Sequence, residues 1–305
     1  MAAVGAFAVE SANVVGYNTI TLPQGQEYGM YALPFDGVNE AGTISIQELF
    51  KDPLTSFKGG GNMGLADQIM FWYNGAYKNL YLFSTTATSS AALARHGKWI
   101  NAGSVPDPSW GTANQPSTLA IGGGTSFWIK RYLAAANKDG GELQNAALPE
   151  LTVTVSGQVV TKASGTASYT ITAATADAPS YTLVAAGFSA PFIPNPDKVD
   201  SSKPAIDWIG MGCKGGGNAG LADQLMFWYN GSYKSLYLFS TTATSTAALA
   251  RHNKWINSGS VPDASWGTAN QPSTVVIQPT QGFWYLRQKG ATTSFNFQIE
   301  QPYSL

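Results

Sequence analysis

The sequence predicts an all-β protein made of two tandem copies of a β-sandwich or barrel-like domain with short helical turns. Short runs of β-branched and aromatic residues are separated by turn signals at roughly 8–12-residue intervals, as in sandwiches and barrels. Helix signals are few and short. Residues 58–118 recur almost unchanged as residues 214–274, with 53 of the 61 positions identical.

This repeat defines the organisation of the chain. Its period far exceeds the roughly 20–50-residue units of solenoids and propellers and matches the common size of an independent domain. We therefore expect residues 1–160 to form a first β-domain and residues 161–305 to form a second, duplicate one. Weaker similarity extends beyond the block, as in Tyr28–Phe35 against Tyr181–Phe188 and Phe127-Trp128 against Phe283-Trp284.

The elements before the block are short. Val9–Leu22 is rich in β-branched residues and predicts two strands, followed by a turn at Pro23-Gln-Gly25. Tyr28–Phe35 predicts another strand. Ser45-Ile-Gln-Glu48 is a capping box, so it predicts one or two helical turns.

The block itself predicts a hairpin. The crowded large apolar side chains of Gln68–Tyr73 are typical of a strand buried on both faces. Asn74-Gly75 suits a type I′ turn, whose two central residues need positive φ. We therefore expect a hairpin here and an equivalent one at Asn230-Gly231. Ser89 predicts the N-cap of a short helix.

Three later strands are predicted at Lys98–Ile100, Ser126–Ile129 and Leu151–Val155. The last one alternates cleanly and resembles Thr293–Ile299 near the C-terminus, so we expect it to close the first domain. Residues 134–149 predict a connection.

Composition excludes several classes of protein. The net charge is −1 without any run of Lys or Arg, so a nucleic-acid partner is not expected. No apolar stretch reaches the roughly 20 residues of a membrane-spanning helix. Charged residues make up only 11%, which favours a secreted protein, extracellular or on the cell surface. The only cysteine, Cys213, aligns with Phe57 and is expected to be a buried apolar residue.

No pattern predicts catalysis, a cofactor or a metal site, so we expect that the protein is not an enzyme. Gly59-Gly-Gly61 lacks the Gly-Lys-Ser/Thr of a phosphate loop. The two histidines, His96 and His252, are equivalent positions, and no serine lies in a Gly-x-Ser-x-Gly motif. Asp67 and Asp107 have no metal-ligand spacing; a role in accepting backbone N–H groups is expected instead.

Aromatic residues are the stronger signal. If Leu80 and Leu82 face the core, strand alternation places Tyr77 and Tyr81 on the outside. Exposed aromatic side chains stack on sugars or bind other subunits. The candidates for such contacts are Tyr77, Tyr81, Trp99 and Trp110, with their equivalents Tyr233, Tyr237, Trp255 and Trp266. Trp110 and Trp266 lie in polar loops and would be sugar-stacking platforms if exposed. The alternative is that most of these rings lie in the core or pair across strands.

Several motifs of the first repeat occur together: Asn13-Val-Val-Gly-Tyr17, Thr21-Leu-Pro-Gln-Gly25, Ala32-Leu-Pro-Phe35, and Ala66-Asp-Gln-Ile69 leading to Trp72. Their order resembles that of uncharacterised secreted β-domains from environmental Gram-negative bacteria. The resemblance implies secretion and a β-rich fold, and it assigns no functional site.

Three functions compete on this basis. A structural subunit of an extracellular filament or surface array is favoured, because low charge and surplus aromatics suit a surface buried against other copies of the chain. A carbohydrate-binding or adhesive module, with glycans as partners, is the first alternative. A virion capsid protein is the second.

The termini offer a way for subunits to join. The apolar segment Ala2–Val15 has two alternative roles: it pairs as a strand within its own domain, or it is donated as a strand to a neighbour. In the second case its candidate contact residues are Val4, Phe7, Val9, Val14 and Val15. Residues 1–8 are either the remnant of a leader, since Ala6-Phe7-Ala8 has the small-x-small pattern of a cleavage site, or part of this strand, which we expect. Residues 293–305 are the other candidate bridge. The equivalent place in the second domain is expected to be filled by Leu151–Val160.

Overall fold

The computed structural model describes residues 14–106, 108–133, 148–196, 206–259 and 261–304. Within these ranges the chain forms seventeen strands in five sheets, with four single-turn helices. The prediction of an all-β fold is therefore confirmed. None of the helices in these ranges is long and apolar enough to cross a bilayer.

The first half of the chain forms ten strands and two helices. The strands are β1 (Val15–Leu22), β2 (Tyr28–Ala32), β3 (Phe35–Asp36), β4 (Thr43–Ser45), β5 (Gln68–Tyr73), β6 (Ala76–Phe83), β7 (Lys98–Asn101), β8 (Ala120–Gly122), β9 (Ser126–Lys130) and β10 (Leu151–Val159). The helices are α1 (Ile46–Leu49) and α2 (Ser90–Leu93). Three-residue 3₁₀ turns lie at Pro53–Thr55, Met63–Leu65 and Pro108–Trp110.

The second half forms seven strands and two helices. The strands are β11 (Thr166–Ile171), β12 (Ser180–Ala185), β13 (Gln224–Tyr229), β14 (Ser232–Phe239), β15 (Lys254–Ser258), β16 (Gly282–Arg287) and β17 (Phe295–Glu300). The helices are α3 (Trp208–Met211) and α4 (Thr246–Leu249), and a 3₁₀ turn lies at Ala264–Trp266.

Each half contains a five-stranded antiparallel sheet with the same order, β2-β9-β5-β6-β7 in the first and β12-β16-β13-β14-β15 in the second. In the first half this sheet packs on β1-β10-β3, and Ile20 and Val155 share a core with Phe71 and Trp99. In the second half the partner layer is β11-β17. Both halves are therefore sandwiches with a core of their own.

The local turn and cap predictions are confirmed. Asn74 and Gly75 have φ of 48° and 78°, and Asn230 and Gly231 have φ of 47° and 78°, as a type I′ turn requires. Ser45 and Glu48 form the complete capping box of α1. Ser89 accepts a hydrogen bond from the backbone N–H of Ala92.

Two predictions about strands near the chain termini are wrong. The described part of Val9–Leu22 forms one strand, because Ile20 and Leu22 alternate with exposed residues without a break. Leu151–Val159 does not fill the second half; it pairs along its whole length with β1. The C-terminal strand β17 pairs with β11 of its own chain. The residues before Val14 lie outside the described residues.

Candidate functional site

The outer faces of the two five-stranded sheets pack against each other. Met30, Trp128 and Trp284 form the buried centre of this contact, which we call the aromatic face. Around them pack Tyr28, Met70, Trp72, Leu183, Met226 and Trp228. Part of the aromatic surplus of the sequence thus lies between the two halves of one chain.

The aromatic face has approximate two-fold symmetry. Trp72 lies edge-on to Trp284 at 5.1 Å and to Tyr77 at 5.0 Å. The equivalent residues repeat this: Trp228 lies edge-on to Trp128 at 5.5 Å and to Tyr233 at 5.0 Å. Such edge-to-face pairs contribute about 0.5–1.5 kcal/mol each beyond the area they bury.

Hydrogen bonds also cross between the halves. The indole N–H of Trp228 donates to the carbonyl of Tyr28 at 3.0 Å. The hydroxyl of Ser126 donates to the carbonyl of Val184 at 2.8 Å, and the backbone N–H of Ala32 donates to the carbonyl of Thr280 at 2.8 Å. The two sheets are therefore joined by polar as well as apolar contacts.

Most of the candidate contact residues are buried. Trp110 and Trp266 are each only 5% exposed and pack edge-on against Phe71 and Phe227, so the expectation of exposed stacking platforms is wrong. Trp99 and Trp255 are fully buried in the two cores.

The outward tyrosines divide into two kinds. Tyr77 and Tyr233 are 40% and 43% exposed at the rim of the aromatic face. Burial, with a smaller contribution from Tyr233, raises the pKa of Tyr77 to about 12. Tyr81 and Tyr237 are on the predicted face of their strands but are only 5% exposed. Ala66, in the segment before β5, packs on Tyr81, and Ala222 packs on Tyr237 in the same way.

Each half contains a buried ion pair. Asp67 accepts hydrogen bonds from the backbone N–H groups of Lys58 and Tyr132 and from Nε of Arg131 at 3.0 Å. Asp223 has the equivalent contacts with Lys214, Gln288 and Arg287, and also accepts the hydroxyl of Tyr285. The expected backbone role of Asp67 is confirmed, whereas its arginine partner was not predicted. Asp67 thus joins the segment before β5 to the end of β9, and Asp223 joins the segment before β13 to the end of β16. Asp107 lies outside the described residues.

The remaining reactive side chains have structural surroundings. Cys213 is buried, as predicted, and burial raises the pKa of its thiol to about 12. Nδ1 of His96 accepts the backbone N–H of Thr85, and His252 makes the equivalent bond with Thr241. Within the described ranges, no three His, Cys, Asp or Glu side chains lie together as a metal-binding group.

One edge of each five-stranded sheet, at β7 and at β15, is closed by a side-chain amide. At the edge of β7, the side-chain amide of Gln47 bonds both the N–H and the carbonyl of Trp99. At the edge of β15, the shorter amide of Asn195 makes the same two bonds with Trp255. Such closure prevents another strand from adding to the sheet.

The edge of β1 differs. The carbonyl of Val14 accepts the N–H of Val159, so even-numbered residues of β1 point their backbone groups toward β10 and odd-numbered residues point them outward. The outward N–H of Thr19 is bonded by Asn18, and the outward carbonyl of Thr21 by Tyr31. For Val15 and Tyr17, no partner of the outward groups lies among the described residues.

The side chains along this edge are also exposed. Val15 is 63% exposed and Tyr17 is 81% exposed, the highest value among the large apolar residues that the structure describes. Val14 and Val15 were predicted as part of a donated strand; instead they begin the pairing with β10 of their own chain. Val4, Phe7 and Val9 lie outside the described residues.

Comparison of the chain with protein-family models, with curated proteins and with solved structures gave no match in any of the three.

Proposed function

We propose that the protein is a secreted structural subunit that assembles with copies of itself by strand addition at the outward edge of β1. The observation that carries the proposal is the open edge of β1 at Val15 and Tyr17, which contrasts with the closed edge strands β7 and β15 of the two large sheets. A strand with free N–H and C=O groups is a template for a further strand.

The occupant of this edge is the N-terminal segment of a neighbouring copy. Residues 2–9 are Ala-Ala-Val-Gly-Ala-Phe-Ala-Val, with no charged or proline residue to oppose strand pairing. Val15 and Tyr17 offer exposed apolar side chains beside the edge. Low overall charge supports a place outside the cell.

The proposal is tested by blocking the edge without disturbing the fold. Proline at position 17 removes only an outward N–H, and Gly16 before it tolerates the proline ring. We expect Tyr17→Pro and a chain lacking residues 1–12 to remain folded and to sediment as monomers. The matched control, Tyr17→Val, keeps the N–H and should still assemble.

Analytical ultracentrifugation and electron microscopy give the readout, with circular dichroism as the folding control. An intact chain that stays monomeric at high concentration contradicts self-assembly. Normal assembly of the truncated chain contradicts the N-terminal segment as the joining strand. Filaments or sheets in the micrographs support an extracellular array, whereas closed shells support the capsid alternative.

A further inference from the structure

A cleft of about 350 Å³ lies at the junction of the two halves. Its walls come from the end of β1, the first residues of β2, the tip of the β13–β14 hairpin and the turn before β16. Small-molecule sites favour such junctions, and this volume falls at the lower end of their usual range.

Aromatic rings in fixed positions line the cleft. Trp228 is held by its hydrogen bond to the carbonyl of Tyr28 and by the edge of Trp128. Tyr31 is held by donating its hydroxyl to the carbonyl of Thr21 at 2.9 Å. Tyr229 donates its hydroxyl to Asp263 at 3.1 Å. Rings held in this way bind a flat apolar surface without first losing side-chain entropy.

The polar groups of the cleft are uncharged. Gln26, Asn230 and Gln278 line it, and their side-chain amides have no hydrogen-bond partner among the described residues. No acidic or basic side chain is among the described residues that line the cleft. The lining therefore suits a neutral ligand with many hydroxyl groups and an apolar C–H face, which is the chemistry of a neutral sugar.

The cleft is specific to one side of the molecule. Gln278, Thr280 and Gln281 occupy the positions that Gly122, Gly124 and Thr125 occupy in the first half, and Tyr31 corresponds to Val184. The two halves thus differ at the positions that give the cleft its polar side chains, and the first half lacks the glutamines at the equivalent positions.

We infer that this cleft binds a short stretch of a neutral saccharide, with the sugar faces against the aromatic rings and the hydroxyl groups bonded to the free amides. The inference does not depend on self-assembly, and Trp110 and Trp266 have no part in it. It places a glycan site at the junction of the halves.

The test is calorimetric titration of the intact protein with cellohexaose, maltohexaose and mannohexaose, with hexagalacturonate as the charged comparison. We expect at least one neutral hexasaccharide to bind and the charged one not to. The variant Gln26→Ala/Gln278→Ala should weaken binding about 10-fold, since each lost hydrogen bond costs a few-fold. The control Gln298→Ala changes an exposed glutamine on β17 and should bind like the unmodified protein.

Nuclear magnetic resonance of the unmodified protein gives a readout that needs no variant. The indole N–H of Trp228 and the side-chain amide of Gln278 should shift during titration with the sugar that binds. No binding by any neutral hexasaccharide, binding of the charged one alone, or binding unchanged in the double variant would each overturn the inference.

Discussion

The carboxylates of Asp67 and Asp223 have no exposed surface, yet each lies opposite a buried guanidinium and two backbone N–H groups. Burying a charge costs several kcal/mol unless partners replace water. Each arginine lies 64 positions after its aspartate in the chain, so the ion pair stabilises only the folded arrangement. The pair is a structural element of each half.

Replacing Asp223 with Asn should therefore be strongly destabilising. Arg287 would remain buried without its counter-charge, and breaking such a pair costs about 3–5 kcal/mol. Urea unfolding measures the loss as a lower midpoint. Asp177→Asn, at an exposed position, is the control and should leave the midpoint unchanged. Equal midpoints for the two variants would show that the ion pair contributes no net stability.

Cys213 should be unreactive in the folded protein. Its thiol is buried, and its raised pKa of about 12 keeps it protonated in neutral buffer. An unfolded thiol has a pKa of about 8.5, so the unfolded state loses this proton first as the pH rises. The thiol therefore lowers the stability progressively from about pH 8.5 toward pH 12.

A maleimide probe measures this reactivity. We expect slow alkylation of the native protein at neutral pH and fast alkylation in urea. A Ser90→Cys variant, which adds an exposed thiol, provides the fast-reacting control. Equally fast alkylation of Cys213 and the added thiol would contradict its burial.

At the scale of single elements, the hairpin between β5 and β6 depends on backbone conformation at its turn. Gly75 has φ of 78°, where a side chain costs about 1–2 kcal/mol. Gly75→Ala should lower the unfolding free energy by that amount. Gly61→Ala is the matched control, because a methyl group added at Gly61 would meet no other atom within 4 Å and its φ is not positive. A smaller effect at Gly75 than at Gly61 would mean that the turn does not constrain this hairpin.

The elements that could be predicted from sequence are those with local causes. The Asn-Gly turns, the Ser45 capping box and the strands beside them depend on residues within a few positions of one another. The burial of Tyr81 could not be predicted, because the segment around Ala66 that covers it returns from outside the hairpin. The closure of the sheet edges could not be predicted either. Gln47 bonds Trp99, 52 positions away, and Asn195 bonds Trp255, 60 positions away, and the two amides are not at equivalent positions of the sequence.

At the scale of the whole molecule, the composition indicated a large aromatic contact but not its partner. Trp72 and Trp228 are equivalent positions of the repeat, and their strand positions put them on outward faces. Whether such a face meets another subunit or the other copy in the same chain depends on how the copies are oriented. With the connection that runs from the end of β10 to the start of β11, the outward faces of the two five-stranded sheets meet within one chain. The proposal of self-assembly therefore rests on the β1 edge and no longer on the aromatic surplus.

The two-fold character of the aromatic face predicts equal effects from equivalent substitutions. Trp128 and Trp284 are 3% and 5% exposed and pack edge-on against Trp228 and Trp72. Trp→Ala at either position should cost about 3–5 kcal/mol. Val38→Ala, at a residue that is 75% exposed, is the control for both. A cost confined to one of the two tryptophans would contradict the symmetry.

The same face should couple the unfolding of the two halves. In the unmodified protein, tryptophan fluorescence and alkylation of Cys213, which reports on the second half, should give coincident urea transitions. In the double variant Trp128→Ala/Trp284→Ala, each half retains its own sandwich core, but the apolar contact between the halves is lost. The two probes should then separate into distinct transitions. If the two transitions still coincide, other contacts couple the halves: the hydrogen bond between Ala32 and Thr280 and the short connection between β10 and β11. The aromatic face would then add stability to the folded protein without making the two halves unfold together.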